Sequence, residues 1–167
     1  MAINFTNGTV DTITEGSTEI FRMPNNYQFS NWPAFHAFRE AGHVGQSSQI
    51  VVFDGTRLNN GGHYSTSTGI FTAPIAGTYW FHCWSMDTDG GTQYTNDYYE
   101  IRRNNSRSDQ NSLRVYTSAA QATRSHRAGG WIRRLDGGDN VRVFNINAAM
   151  YGTSYVYLYF SGCLLAV

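Results

Sequence analysis

Residues 53–83 read FDGTRLNNGGHYSTSTGIFTAPIAGTYWFHC. Within that stretch Phe53, Asn59, Tyr64, Phe71, Gly77, Tyr79, Phe81 and Cys83 stand at intervals of six, five, seven, six, two, two and two. Asp54-Gly55 and Asn59-Asn60-Gly61-Gly62 are turn signals, because glycine adopts the positive-φ conformations that tight reversals need. After Pro74-Ile75-Ala76-Gly77 the pattern settles into a long strand, predicted over Thr78–Asp87. Alternate residues of a strand point to opposite faces. One side of this strand therefore carries Tyr79, Phe81 and Cys83, and the other Trp80, His82 and Trp84. Neither side is polar.

Working outward, further strands are predicted at Ala34–Phe38, Gln49–Phe53, Ser65–Phe71, Tyr98–Arg103 and Ser112–Tyr116. Gly130–Leu135, Asn140–Asn145 and Ser154–Leu165 follow, with loops at 87–96 and 104–110. Aromatics make up 15% of the 167 residues, with 17 Gly and 3 Pro. Evenly spaced short strands with Gly or Asn turns indicate an all-β sandwich or barrel. Residues 1–32 are polar, with thin alternation at Val10, Ile13, Ile20 and Phe21, and are expected to form an extended arm or extra strands. They carry neither a Gly-X-Y repeat nor a heptad pattern.

The spacing over residues 53–83 resembles the signature of the C1q-like globular-head family, the jelly-roll superfamily shared with tumour necrosis factor ligands. Seven of the eight positions agree; the departure is Cys83, where the family has Phe or Tyr. Gly129-Gly130-Trp131-Ile132 followed by Leu135-Asp136-Gly137-Gly138-Asp139 looks like the family's strand–turn–strand passage with one extra Gly. The ending Tyr159-Phe160-Ser161-Gly162-Cys163-Leu164-Leu165 resembles its closing strand, with Cys163 in a position usually held by Phe. The likeness covers residues 34–167. It implies a ten-stranded two-sheet jelly-roll sandwich over residues 33–167, a homotrimer, and no enzymatic activity.

A second argument for association comes from the last strand. Tyr155, Tyr157 and Tyr159 lie on one side of it, and Val156, Leu158 and Phe160 on the other. A sandwich strand that faces water on one side alternates polar with apolar; this one does not. A sheet built from two such strands is apolar front and back, and in a small chain the natural cover for the second face is another subunit. By the resemblance, Tyr155, Tyr157 and Tyr159 turn toward a threefold axis, and Tyr79 and Phe81 are expected with them at the subunit contact.

Twelve basic and twelve acidic residues cancel, and every basic residue is Arg. Neutrality argues against a nucleic-acid partner. No apolar run approaches the roughly 20 residues of a membrane helix, and the amino terminus has neither the basic start nor the apolar run of a secretory signal. The two cysteines, Cys83 and Cys163, fall in predicted strands, where a bridge is neither required nor excluded. The five His show no metal-ligand spacing, and nucleophile motifs and phosphate-cradling loops are missing. Asp87, Asp89, Asn96 and Asp97 are the candidate ligand loop; no EF-hand spacing is present and no metal or cofactor is expected, calcium being the one cation such oxygens would suit. The leading expectation is a phage virion surface protein, a capsid decoration (cement) protein or fibre tip, that docks on capsid or other virion proteins through its trimer and its arm. The alternative is a secreted, extracellular module that binds a glycan or a receptor through its loops.

Overall fold

A computed structural model describes residues 2–6, 9–15, 17–22, 32–40, 42, 44, 48–86, 98–108, 110–116, 126–146, 150 and 157–167. The chain divides into two compact units, Met1–Trp32 and Pro33–Val167. In the first, β1 (Ala2–Thr6), β2 (Thr9–Glu15) and β3 (Thr18–Arg22) form an antiparallel sheet in the order β1-β2-β3. Its pairing shifts register at Asn4/Phe5 and at Ile13/Thr14.

The second unit is a two-sheet jelly-roll sandwich. Its strands are β4 (Ala34–Phe38), β5 (Gln49–Ile50), β6 (Gly55–Asn60), β7 (Tyr64–Ser65), β8 (Ile70–Thr72) and β9 (Gly77–Met86). They continue as β10 (Tyr98–Arg103), β11 (Ser112–Tyr116), β12 (His126–Leu135), β13 (Asn140–Ile146) and β14 (Leu158–Ala166). One sheet runs β12-β9-β14-β4-β6; the other runs β11-β10-β13-β8-β7, with β5 also paired to β13. Among the described residues these are eleven strands, against ten implied by the resemblance and nine predicted one by one from the sequence. The difference has two local causes. Residues 65–71 are not one strand but the two arms of a hairpin, pairing Tyr64 with Phe71 and Ser65 with Ile70. Gly69 turns the chain with φ 73°, where a Cβ would lie 2.6 Å from the Val51 carbonyl oxygen. In addition, Gly55–Asn60 is an edge strand on β4, with a polar sequence that carries no strand pattern.

Each signature residue has a mechanical task in this sandwich. Phe53, Phe71, Tyr79, Phe81 and Cys83 are completely buried. Asn59 brackets Tyr64: its side-chain amide donates to the Tyr64 carbonyl at 2.9 Å, and its Oδ1 accepts from the Tyr64 N–H at 3.1 Å. The Tyr64 hydroxyl in turn accepts from the Phe53 N–H at 3.3 Å. At Gly77 a Cβ would sit 2.6 Å from the Ala166 carbonyl oxygen, so glycine lets β9 and the end of β14 approach. The Tyr79 hydroxyl donates to the Ile75 carbonyl at 2.9 Å and holds the turn before β9. Phe35 is the hub of the core, stacked on Tyr64 at 4.9 Å and Phe71 at 5.0 Å and edge-on to Phe160 at 5.0 Å. Such aromatic pairs contribute roughly 0.5–1.5 kcal/mol each beyond the area they bury.

Asn59→Ala removes both partners of the Tyr64 backbone in a part-buried position. The expected loss is about 1–3 kcal/mol of unfolding free energy, read from the shift of a urea transition. A variant as stable as the parent would show that the bracket is dispensable.

Candidate binding face

The alternation of β9 and β14 resolves into one buried and one outward set. On β9, Tyr79, Phe81, Cys83 and Ser85 are wholly buried, whereas Trp80, His82 and Trp84 are half-buried on the opposite side. On β14, Leu158, Phe160 and Leu164 face the core. Tyr159, Ser161 and Cys163 face outward with the indoles, because the register pairs Tyr159 with Trp84, Ser161 with His82 and Cys163 with Trp80. Tyr79 and Phe81 are therefore corrected: both are 0% exposed inside the single chain and offer nothing to a second one. The β9 residues that share the outward face with Tyr159 are Trp80 and Trp84. Strand parity shows that two sets exist, but only the pairing of β9 with β14 tells which set shares a face with Tyr159. Tyr157 is half-buried just before β14, with its carbonyl accepting from the Met86 N–H at 3.1 Å. Tyr155, and the loop residues Asp87, Asp89, Asn96 and Asp97, lie outside the described residues.

The outward side of this sheet is an aromatic plate centred on Tyr159. Its ring stacks on Trp84 at 5.7 Å with 12° between planes, and lies 5.7 Å from His82 and 5.3 Å from His36. Trp80 stacks on His82 at 5.6 Å, and Trp84 on His126 at 5.1 Å. On one flank Arg57 sits 5.4 Å above the Phe38 ring. On the other, Ile132, paired with Trp80, is 63% exposed. An apolar side chain so placed gains by leaving water.

Burial governs the titration of the plate. Desolvation holds the His82 imidazole below its ordinary 6.5. His36 is lowered by desolvation and by the nearby Arg57 guanidinium. Desolvation raises the Tyr159 hydroxyl, with a smaller contribution from Cys83. Each of these shifts favours the uncharged form of its group, which lowers the cost of covering the plate.

One pair on it has the shape of a nucleophile and a base: His36 Nδ1 and Ser161 Oγ are 2.8 Å apart. Nucleophilic catalysis by such a pair needs an orienting group that stabilises the imidazolium. The charge facing His36 is instead Arg57, which opposes imidazolium formation. The bond ties β4 to β14. Among the described residues no group of three His, Cys, Asp or Glu is placed to hold a metal ion. No helix among them is long and apolar enough to cross a membrane. Cys83 and Cys163 are free and face opposite sides of the same sheet, and burial raises both thiols above their ordinary range.

The family model described as C1q domain matches residues 34–165. No curated protein matches the sequence. Among solved structures, the globular domain of zebrafish complement 1qA protein is similar at TM-score 0.63 and 20% identity, over 80% of this chain and 97% of that one. The Eiger TNF of S. frugiperda is similar at TM-score 0.62 and 12% identity, over 81% and 94%. Murine APRIL at pH 5.0 is similar at TM-score 0.60 and 15% identity, over 80% and 99%.

The histidine shifts have a definite sign. A folded pKa below the unfolded 6.5 gives stability that is present above pH 6.5 and is lost as pH falls through the folded value. NMR titration of His36 and His82 is expected to give midpoints below 6.5, with the melting temperature declining in the same acidic window. Midpoints at or above 6.5 would show that the plate is solvated.

Proposed function

The chain belongs to the C1q domain family, and from that premise we propose that it is a non-enzymatic binding module that works as a homotrimer. The observation carrying this reading is the Tyr159-centred plate of stacked rings, half-buried in the single chain. Fully burying one large apolar side chain is worth roughly 1.5–3 kcal/mol. Trp80, Trp84 and Tyr159 on each of three chains thus supply ample drive for assembly. The hydroxyl of Tyr159 and the ring nitrogens of His82 and His36 keep hydrogen-bonding capacity for partners across such a contact.

The setting that fits best is a particle surface, such as a phage capsid decoration or fibre-tip position, with residues 1–32 as the docking element. The described strands of that unit end in two sheet edges, β1 and β3. Unpaired strand edges are templates for pairing with another chain. The second reading is an extracellular recognition module that binds a receptor or a glycan. It is favoured by the similarity of the fold to a complement 1qA domain and to tumour necrosis factor ligands. A calcium ion on the loop of Asp87, Asp89, Asn96 and Asp97 is compatible with either setting.

Native mass spectrometry at micromolar concentration is expected to give a species of three times the 18.7 kDa chain mass. Trp84→Glu would place a charge in the centre of the contact and should yield a folded monomer with unchanged far-UV circular dichroism. Removing residues 1–32 should leave the trimer intact and abolish attachment to a particle. A folded, monomeric parent chain would refute the trimer, and attachment that survives the truncation would refute the docking role of the arm.

A further inference from the structure

The other sheet carries an arginine cluster on its outward side. Tyr99 and Ile101 of β10 are wholly buried in the core, so Tyr98, Glu100 and Arg102 point away from it. Pairing brings Arg114 of β11 and Phe144 of β13 beside Glu100, and Ser112 and Arg142 beside Arg102. Although they face outward, Glu100 is 0% and Arg102 only 3% exposed. The Glu100 carboxylate accepts from Arg102 Nε at 2.5 Å and from Arg114 Nε at 2.9 Å. The Arg102 Cζ lies 3.6 Å from the centroid of the Phe144 ring, over its face. Arg142 uses one Nη to donate to the Asn140 side-chain oxygen.

Two features of this cluster call for another member. The Glu100 carboxylate is taken up by Arg102 and Arg114, while the guanidinium-bearing Arg102 and Arg142 are direct cross-strand neighbours. Like charges so placed repel. Further, the buried Nη2 of Arg102 and the buried Nε of Arg142 have no acceptor, whereas buried polar groups are as a rule hydrogen-bonded. A planar fork of donors without an acceptor matches a carboxylate, sulfate or phosphate group.

We propose that the outward face of β10, β11 and β13 is an oxyanion-binding site, with Arg102 as its fixed floor and Arg142 and Arg114 as the arms that admit the ligand. The neighbouring surface names the carrier. Tyr98 and Tyr116 stand at the far end of the same face, with ring centroids 4.7 Å apart and Tyr116 54% exposed. Tyr98 is four residues from Arg102, about 13 Å along a strand, the reach of a short oligosaccharide. An aromatic platform at that distance from a cationic fork suits a sugar chain bearing a carboxylate or sulfate. The site adds a ligand to the binding-module reading and does not depend on trimer formation, so either can fail alone.

Isothermal titration calorimetry at constant ionic strength tests it with three probes: sodium sulfate, a glucuronate-containing disaccharide, and its neutral glucose counterpart. The parent chain is expected to bind sulfate and the acidic disaccharide saturably, the disaccharide at least tenfold more tightly, and the neutral sugar not at all. Arg142→Gln leaves the Glu100 pairs intact and should weaken both anions at least tenfold. Tyr116→Ser should weaken the disaccharide alone, and Arg134→Gln, on the opposite sheet, should change neither. No saturable binding by the parent, or binding undisturbed by both Arg142→Gln and Arg102→Gln, would overturn the site. Sulfate binding as tight as that of the acidic disaccharide would overturn the sugar assignment.

Discussion

Strand Leu158–Ala166 carries no charged residue on either face and an aromatic ring, Tyr159, on its outward one, and the rest of the molecule is arranged around that fact. It lies between β9 and β4, so a face of the strand that is not core must still be accommodated in the middle of a sheet. Inward, Leu158, Phe160 and Leu164 close the sandwich. Gly162 completes that side because the Phe81 and Phe35 rings come so near that a Cβ would lie 2.6–2.7 Å from them. Outward, Tyr159 gathers Trp84, His82 and His36 around itself. The aromatic plate is thus the reverse side of the core. Its position is set by the same backbone pairing that buries Phe160 against Cys83.

The two sheets treat their outward faces differently. On β9 and β14 the outward residues are mostly aromatic, with Ser161 and Cys163 among them, which suits cover by protein. On β10, β11 and β13 the outward residues are guanidinium groups organised around one buried carboxylate, which suits a small charged ligand. Overall neutrality hides this division, since twelve Arg balance twelve Asp and Glu across the chain. Arg103, next to Arg102 in sequence, turns to Asp139 at 2.6 Å and Asp136 at 3.1 Å. Glu100 is shared by Arg102 and Arg114, and Arg142 stands beside Arg102 with Asn140 as its acceptor.

Much of the fold is legible because its signature residues do jobs that depend on residue type. Asn59 brackets a backbone, Gly77 permits a close approach, and Tyr64, Phe71, Tyr79 and Phe81 fill the core. Strands Ala34–Phe38, Tyr98–Arg103 and Ser112–Tyr116 have the bounds their alternation predicts. What escaped reading depends on pairing. Edge strand Gly55–Asn60 is polar because only one side of it meets the sheet, and the hairpin at Ser65–Ile70 looks like a single strand until Gly69 is seen to reverse it. The facing of Tyr79 and Phe81 could not be read from β9 alone, since both of its sides are aromatic. The arginine site was equally hidden: Arg102 and Arg142 are forty residues apart and become neighbours only through the β10–β13 register.

Hydroxyl-radical footprinting of the intact protein at micromolar concentration tests the account at its centre. Tyr116 is 54% exposed and remote from the plate, and it serves as the internal reference. If the outward face of β9 and β14 is covered by copies of the chain, Trp84 and Tyr159 will be oxidised far more slowly than Tyr116, and will gain reactivity on dilution. Oxidation of Trp84 and Tyr159 at the rate of Tyr116, at every concentration, would show that the second apolar face stands in water.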